Sequence, residues 1–400
     1  MGIFDLFKGK NKPKETKEVL LTPPSKTNTD NTTKQFYSIP VADVVRETPD
    51  SISVYLAVPS DLETIFAYKA GQYVTLRVSI GGQSHLRSYS LSSYADGFYR
   101  IAIKKKQGGA VSGYLLDHCR QGQHLDVFPP LGNFSPRLDN STQHYFLFAG
   151  GSGITPMLSI LKAVLHHKKQ ARIVLFYANK NAESIIYHQE IEALQAQYSN
   201  NLTVWYALDL PPAQWTGLTG IYTADTYAQW LQTNYGNSIA TDNEAEYFVC
   251  GPTAMMQEVQ TALLNRVHIA ENRFHVEYFD IEKQAHDVRH QMATDDNNNS
   301  NPTDSNNNAS TKATVILGGK KHVLDINKGQ TVLQTCLDKH LDAPFMCEAG
   351  VCSSCKAKLV SGKVAMAACY ALSEREIAEG YILTCQSIPQ TPEIVVSYDL

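Results

Sequence analysis

The sequence lacks a long apolar segment and an excess of basic charge. No run approaches the roughly 20 apolar residues that a membrane-spanning helix needs, and the first residues lack the apolar stretch and small-residue cleavage site of a secretory signal. The net charge at pH 7 is -4, so the chain has none of the basic character that nucleic-acid binding requires. We therefore expect a cytoplasmic protein without a transmembrane segment or a nucleic-acid partner.

The chain has 400 residues, 43% of them hydrophobic, and is long enough for two or three globular domains of about 100 to 200 residues each. Composition and periodicity divide it into segments. The predicted segments are a disordered tail at 1–36, an antiparallel β-barrel at 37–142, a doubly wound α/β domain at 143–290, a flexible linker at 291–311 and a small α+β domain at 312–400.

These segments rest on local patterns. Short alternating runs such as 51–58 and 86–91, separated by turns that contain Gly, predict the antiparallel strands of the barrel. An apolar strand at 145–149 followed by a helical pattern at 156–167 begins the α/β domain. Between 295 and 310 almost every residue is Asp, Asn, Ser, Thr or Pro, which cannot bury enough apolar surface to fold. A linker of that length spans about 20 to 25 Å, so we expect the last domain to move.

Four of the eight cysteines are spaced like the ligands of an iron–sulfur cluster. Cys347, Cys352 and Cys355 are separated by four and then two residues, and Cys385 follows after 29 more. This is the pattern of plant-type [2Fe-2S] ferredoxins, with three clustered ligands and a distant fourth. Zinc is the alternative, but structural zinc sites favour two separated pairs of ligands. The spacing predicts that these four thiolates bind a [2Fe-2S] cluster.

The number of electrons transferred predicts a flavin if the chain also binds a nicotinamide. A nicotinamide delivers two electrons as a hydride, whereas a [2Fe-2S] cluster accepts one at a time, so a chain that binds both needs a cofactor that converts one into the other. Arg87-Ser88-Tyr89-Ser90 closes a predicted barrel strand: Arg can neutralise a phosphate, a Tyr ring can cover the isoalloxazine, and a Ser hydroxyl can bond near its N5. Taken alone, these residues fit an ordinary edge strand with a surface Arg better than a flavin site.

A second segment strengthens the flavin hypothesis. Gly108-Gly109-Ala110-Val111-Ser112 precedes a helical pattern at 113–119, so its N–H groups and hydroxyl can meet a diphosphate at a helix start. The candidate flavin-binding residues are Arg87, Ser88, Tyr89, Ser90, Gly108, Gly109, Val111 and Ser112.

Two segments of the α/β domain predict a nicotinamide site. The strand at 145–149 runs into a glycine-rich turn in which Pro156 can start a helix, although the spacing departs from G-x-G-x-x-G. A later strand ends at Cys250, where open sheets bind ligands, and its thiol can pack beside a nicotinamide or serve only as a buried hydrophobe. The candidate residues are Gly150, Gly151, Ser152, Gly153, Thr155, Pro156, Cys250, Gly251 and Pro252.

Together these motifs make residues from about 37 to 400 resemble the ferredoxin-NADP reductase superfamily with a C-terminal ferredoxin. The runs at 362–366 and 380–386 are similar to the reductase subunits of phenylacetyl-CoA epoxidases, and related reductases serve other oxygenases and desaturases. The resemblance implies an FAD-binding barrel, a nicotinamide domain and a β-grasp ferredoxin domain. It also implies an NAD(P)H-dependent reductase that passes single electrons to a di-iron oxygenase.

The resemblance further implies roles for individual residues. Ser90, Cys250 and Glu277 match catalytic positions, and Glu277 and Phe279 match a segment that closes over the flavin, where a carboxylate helps the proton follow the electrons or only closes the structure. Lys180 stands where NADPH-using relatives often have Arg, which leaves NADPH or NADH as the donor, although a Lys ammonium can still pair with a 2'-phosphate.

Two other functions fit parts of the sequence. The apolar residues at the start of the tail could bring the reductase to a membrane-bound fatty-acid desaturase or hydroxylase. A redox-sensing protein that holds the cofactors without turnover is a second alternative, but no segment supplies an output domain.

Overall fold

The computed structural model describes residues 36–236, 242–279, 310–341, 343–345, 350, 354–367, 369, 372 and 374–399. The predicted tail therefore lies outside the described residues except for Phe36, whose ring packs against Phe128 at 5.4 Å. Most of the predicted linker also lies outside them. The C-terminal domain starts with a strand at Thr311, one residue inside the predicted linker.

The first domain is a six-stranded antiparallel barrel with strand order β4-β3-β6-β1-β2-β5. Leu91, just after β4, forms an antiparallel bridge to Ile101 on β5, so the two outer strands meet and the barrel closes. Short helices α1 (Glu63–Phe66) and α2 (Ala110–His118) lie between strands. The strands are β1 Tyr37–Thr48, β2 Ser51–Leu56, β3 Tyr73–Ile80, β4 Gln83–Ser90, β5 Tyr99–Lys104 and β6 His124–Leu131.

The second domain has a six-stranded parallel sheet with strand order β10-β9-β8-β7-β11-β12. The strands are β7 His144–Gly150, β8 Arg172–Asn179, β9 Leu202–Leu208, β10 Leu218–Thr219, β11 Ala245–Cys250 and β12 Phe274–Glu277. The helices are α3 Ile154–His167, α4 His188–Gln197, α5 Ala224–Tyr235 and α6 Thr253–Gln260, which continues as a π-helix over Thr261–Val267.

Helices cover both faces of this sheet. Along β7, Leu147 packs into a core that includes α3, whereas Phe148 packs into a second core that includes α5 and α6. A strand that is buried on both faces needs a continuous apolar sequence, which is why the sequence around 145–149 shows no alternation. The predicted doubly wound α/β domain is confirmed.

The third domain is a five-stranded mixed sheet, with order β14-β13-β19-β15-β17, and a separate pair β16-β18. The hairpin between β13 and β14 turns at Gly318 and Gly319, both with positive φ, which glycine adopts without steric cost. The elements are β13 Thr311–Leu317, β14 Lys320–Ile326, α7 Val332–Asp338, β15 Lys356–Ser361, β16 Val364–Met366, α8 Glu374–Ala378, β17 Tyr381–Leu383, β18 Ser387–Pro389 and β19 Glu393–Ser397.

Sequence periodicity placed two of the observed helices, α2 and α3, to within a few residues of their starts. The predicted helix at 113–119 begins earlier, at Ala110, directly after the glycine pair. The predicted helix at 156–167 begins at Ile154, so Pro156 lies in its first turn. In the described part of the chain no helix is both long and apolar enough to cross a membrane.

Candidate redox site

Three predicted catalytic residues meet where the barrel contacts the edge of the parallel sheet. Cys250 ends β11 and is the register partner of Glu277, which ends β12. Ser90 ends barrel strand β4, and its hydroxyl donates a hydrogen bond to Glu277 Oε2 at 3.0 Å. The site therefore takes one residue from the barrel and two from the α/β domain.

The local environment keeps both titratable groups of this site protonated. Burial raises the pKa of Glu277 to about 8, and the hydrogen bond from Ser90 opposes that rise only partly. Burial, followed by the neighbouring Glu277, also raises the pKa of Cys250 well above its usual value. Near neutral pH the site thus holds a neutral thiol, with 0% of Cys250 exposed, and a carboxyl group that can give or take a proton.

The candidate flavin strand presents its residues in different environments. Arg87 and Ser88 are exposed, whereas Tyr89 packs partly against the barrel core, and burial raises its pKa. The hydroxyls of Ser88 and Thr75 are 3.0 Å apart. Arg87 and Tyr89 pair in register with core-facing residues, and Ser90 lies on the opposite face, as alternation predicts.

The second predicted flavin segment forms the start of α2. Gly108 has a φ of 73°, and Gly109 caps the helix without a side chain. The hydroxyl of Ser112 accepts a hydrogen bond from the backbone N–H of Lys106 at 3.0 Å, which fixes the turn, and Val111 is buried at 3% exposure. A helix start with no side-chain cap and a lysine beside it suits a diphosphate, so these residues fit FAD.

The glycine-rich turn after β7 is shaped by the neighbouring loop. A Cβ on Gly153 would lie 2.0 Å from the carbonyl oxygen of Cys250, and one on Gly150 would lie 2.5 Å from Pro252. A Cβ on Gly251 would lie 2.9 Å from the backbone of Gly150. The absence of side chains at Gly150 and Gly153 therefore lets two protein loops approach each other closely.

The remaining residues of this turn lead into α3. Gly151 has a φ of 52°, and its carbonyl accepts a hydrogen bond from Tyr177 at 3.1 Å. The Thr155 hydroxyl donates to the Ser152 carbonyl at 3.0 Å. No side chain caps the start of α3. The N–H of Ile154 already bonds to the carbonyls of Gly151 and Ser152, so a phosphate would meet the backbone of the glycine-rich turn that precedes α3.

The carboxyl end of β8 holds a group that the sequence analysis missed. Asn179 is 5% exposed. Its amide lies beside the hydroxyl of Tyr177, but neither its nitrogen nor its oxygen makes a hydrogen bond of standard geometry among the described residues. Lys180 follows it and is exposed. A buried amide without hydrogen-bond partners costs free energy. The amide nitrogen and oxygen of Asn179 therefore suit a polar ligand bound at this edge of the sheet, such as a nicotinamide dinucleotide. The sequence feature that could have identified Asn179 as a candidate site residue is its position at a strand end, directly before Lys180.

Two of the four predicted cluster ligands are described, and Cys347 and Cys352 lie outside the described residues. Cys355 and Cys385 are thiols with 1% and 3% exposure. Thr384 bonds the carbonyl of Cys355 through its hydroxyl at 3.0 Å, and the Gln386 amide donates to Cys385 Sγ at 3.6 Å. Buried thiols with a donor directed at sulfur suit a cluster. In the described residues alone, no group of three metal-binding side chains forms.

Phe279, two residues beyond Glu277, is 43% exposed. An exposed aromatic ring beside the buried site is compatible with the predicted closing segment.

Comparison with known proteins agrees with this arrangement. Residues 38–135 match the family of oxidoreductase FAD-binding domains, residues 147–261 the oxidoreductase NAD-binding domains, and residues 315–390 the 2Fe-2S iron–sulfur cluster binding domains. The matches confirm the predicted FAD, nicotinamide and [2Fe-2S] domains.

Similar proteins extend over almost the whole chain. A 1,2-phenylacetyl-CoA epoxidase subunit of Escherichia coli is 31% identical, covering 91% of this chain and 98% of the relative. The ferredoxin reductase component of 3-ketosteroid-9-alpha-monooxygenase from Rhodococcus rhodochrous is 36% identical, covering 90% and 95%. The solved structure of phthalate dioxygenase reductase matches with a TM-score of 0.54 at 22% identity, covering 90% of this chain and 98% of that one, and so shares the fold.

Proposed function

The chain belongs to the ferredoxin-NADP reductase superfamily, among the oxygenase reductases with a C-terminal [2Fe-2S] domain, and from this membership we propose that it delivers electrons from NAD(P)H to a separate oxygenase component. The proposed acceptor is of the phenylacetyl-CoA epoxidase type or a similar di-iron monooxygenase. Bound FAD supplies the conversion of a hydride into the single electrons that a [2Fe-2S] cluster carries. Because thiolate ligands need a reducing compartment, we place the protein in the cytoplasm.

The contact between Ser90 and Glu277 carries this proposal. The Ser90 hydroxyl holds the Glu277 carboxyl at 3.0 Å, and a pKa of about 8 lets that carboxyl hold or release a proton at the operating pH. Cys250 fills the adjacent position as a neutral, polarisable thiol. Because it is fully buried, we assign it the packing of the strand end beside which the nicotinamide ring lies, and no covalent chemistry. The uncapped start of α2 and the glycine-rich turn Gly151–Gly153 before α3 bind the phosphates of the two cofactors.

The proposal is tested with the purified holoprotein under anaerobic conditions. NAD(P)H should bleach the flavin and sustain cytochrome c reduction. Glu277→Gln should slow NAD(P)H oxidation about 100-fold or more, the size of a general acid–base contribution, while the matched exposed variant Glu192→Gln keeps the wild-type rate. Cys352→Ser should abolish cytochrome c reduction and leave flavin bleaching intact. Unimpaired cytochrome c reduction by Cys352→Ser would contradict the electron route.

The choice of donor depends on Lys180 in this proposal. Its exposed ammonium follows the buried amide of Asn179 at the end of β8, where it can pair with a 2'-phosphate as a point charge. We propose NADPH as the preferred donor. Lys180→Ala should raise the KM for NADPH and leave that for NADH unchanged, and equal effects on both would reject the assignment.

A further inference from the structure

Arg100 is a barrel residue whose charge is neutralised by the other domain. It lies on β5 with only 4% of its surface exposed, and its guanidinium donates to both carboxylate oxygens of Glu190 on α4, at 2.8 and 3.2 Å. Lys162 on α3 contacts the same carboxylate at 2.7 Å and reaches Asp96 of the barrel, also at 2.7 Å. Two ion pairs therefore cross from one domain to the other.

An aromatic contact strengthens the same junction. The Arg100 guanidinium lies 4.2 Å above the ring of Tyr187, a cation–π geometry. The hydroxyl of Tyr187 is hydrogen-bonded to Ser92 at 2.9 Å and to Ser53 at 3.1 Å, both in the barrel. Tyr187 has a φ of 61°, a left-handed conformation that a bulky residue keeps only where its surroundings impose it.

The junction also holds the strand that leads to the redox site. Arg100 Nε donates to the Ser92 hydroxyl at 3.0 Å, and Nη2 donates to the Ser92 carbonyl at 3.2 Å. Ser159 of α3 donates to the carbonyl of Ser93 at 2.9 Å. Ser92 follows Ser90 by two residues, and α3 begins at the glycine-rich turn. The contacts therefore join the candidate flavin strand to the helix that starts at the candidate nucleotide turn.

The charges in this junction are well compensated. Burial would raise the pKa of Glu190, but Arg100 and Lys162 outweigh it and the pKa is lowered. The carboxylate is therefore ionised near neutral pH, and a bidentate Arg–carboxylate pair fixes orientation as well as distance. Lysine at position 100 would keep the charge and lose that fork.

We propose that Arg100 and Glu190 are positioning residues that set the orientation of the nucleotide domain on the barrel, so that a nicotinamide bound to one meets a flavin bound to the other. This inference rests on the proposed function. In this inference, a polar cluster away from the reacting groups controls their alignment. Hydride transfer depends on that alignment, because small displacements of reacting groups slow a reaction by large factors.

Stopped-flow reduction of the flavin at saturating NADPH tests the proposal. Arg100→Lys should slow the reduction about 10- to 100-fold, the effect of a displacement near 1 Å, while FAD content and the Kd for NADP+ change less than about twofold. Arg77→Lys is the matched control, because Arg77 also pairs with a carboxylate, Asp126, but within the barrel and half-exposed. The double variant Arg100→Lys/Glu190→Gln should be no slower than the slower single variant.

Calorimetry provides a readout that does not depend on activity. The barrel and the nucleotide domain of the wild type should unfold in one transition, which splits in Arg100→Ala but not in Arg77→Ala. A wild-type rate per bound flavin in Arg100→Lys overturns the positioning role, even if the melting temperature falls. If NADPH does not reduce the flavin of the wild type, the proposed function is wrong. A single unfolding transition in Arg100→Ala would separately reject the stabilising role of Arg100 between the two domains.

Discussion

The hydroxyl of Ser90 and the carboxyl group of Glu277 are 3.0 Å apart although the two residues lie 187 positions apart in the chain. Ser90 ends a barrel strand, and Glu277 ends the outermost strand of the parallel sheet. Neither domain contains this pair by itself. Docking of the two domains therefore creates the protonatable centre that the proposed reaction uses.

The pKa of Glu277 predicts a specific dependence of stability on pH. Burial raises this pKa from 4.5 to about 8, so between these values the folded chain retains a proton that the unfolded chain has released. Stability must then fall as the pH rises through this window. Urea unfolding at about pH 5 and pH 8.5 should show that the wild type loses stability relative to Glu277→Gln, whereas Glu192→Gln follows the wild type. Parallel curves for the wild type and Glu277→Gln would refute the pKa assignment.

Cys250 should be chemically inert in the folded protein. Its thiol has 0% exposure and a raised pKa, and alkylation requires an accessible thiolate. Iodoacetamide at about pH 8, followed by mass spectrometry, should leave Cys250 unmodified and label both residues after unfolding. The partly exposed Cys369, whose pKa burial also raises, should be labelled in the folded protein more slowly than after unfolding but faster than Cys250. Labelling of the two residues at equal rates in the folded state would mean that Cys250 is reactive.

Two glycine substitutions should act in opposite directions. In Gly153→Ala the new methyl group would lie 2.0 Å from the carbonyl oxygen of Cys250, and the forced shift should destabilise the protein by about 2 to 3 kcal/mol. In Gly113→Ala the methyl group meets no atom within 4 Å and lies inside α2, where Ala is favoured over Gly by up to about 1 kcal/mol. Thermal unfolding measures both changes. A tolerated Gly153→Ala would show that the two loops do not interlock.

The hydrogen bond from Gln386 should tune the reduction potential of the cluster. Gln386 has 0% exposure, and its amide nitrogen lies 3.6 Å from Cys385 Sγ. Donors to a ligand sulfur stabilise the reduced, more negative cluster, so Gln386→Met should lower the midpoint potential in a redox titration monitored by EPR. Gln334→Met, which removes an amide bonded to Asp338 on α7, should leave the potential unchanged. A potential that moves equally in both variants would argue against a local effect.

The sequence predicted the parts of the site that depend on local patterns. The strand that ends at Ser90 follows from a short alternating run and the strand that ends at Cys250 from a short apolar one, and the four predicted cluster ligands rest on spacing alone. The fold class follows from the change from alternating strands to continuous apolar strands. An alternating strand is buried on one face only, whereas a continuous apolar strand is buried on both faces.

Other features depend on contacts between distant segments and could not be read from the sequence. Arg100 and Glu190 are ordinary charged residues 90 positions apart, and nothing in their local sequence indicates that each neutralises the other. Asn179 is unusual only because β8 and its neighbours bury its amide. Glycine is required at position 153 for a steric reason, and that reason arises only because the carbonyl of Cys250 lies beside it in the folded chain.

The position of β12 at Phe274–Glu277 also determines the order in which parts of the site can form during synthesis on the ribosome. The barrel strands end at Leu131, so the barrel can fold while the second domain is still being synthesised, since domains fold as units from the N-terminus. Glu277 leaves the ribosome 187 residues after Ser90. A nascent chain therefore has a complete barrel well before it has a complete proton site, and a chain that stops short of β12 would lack the carboxyl partner of Ser90.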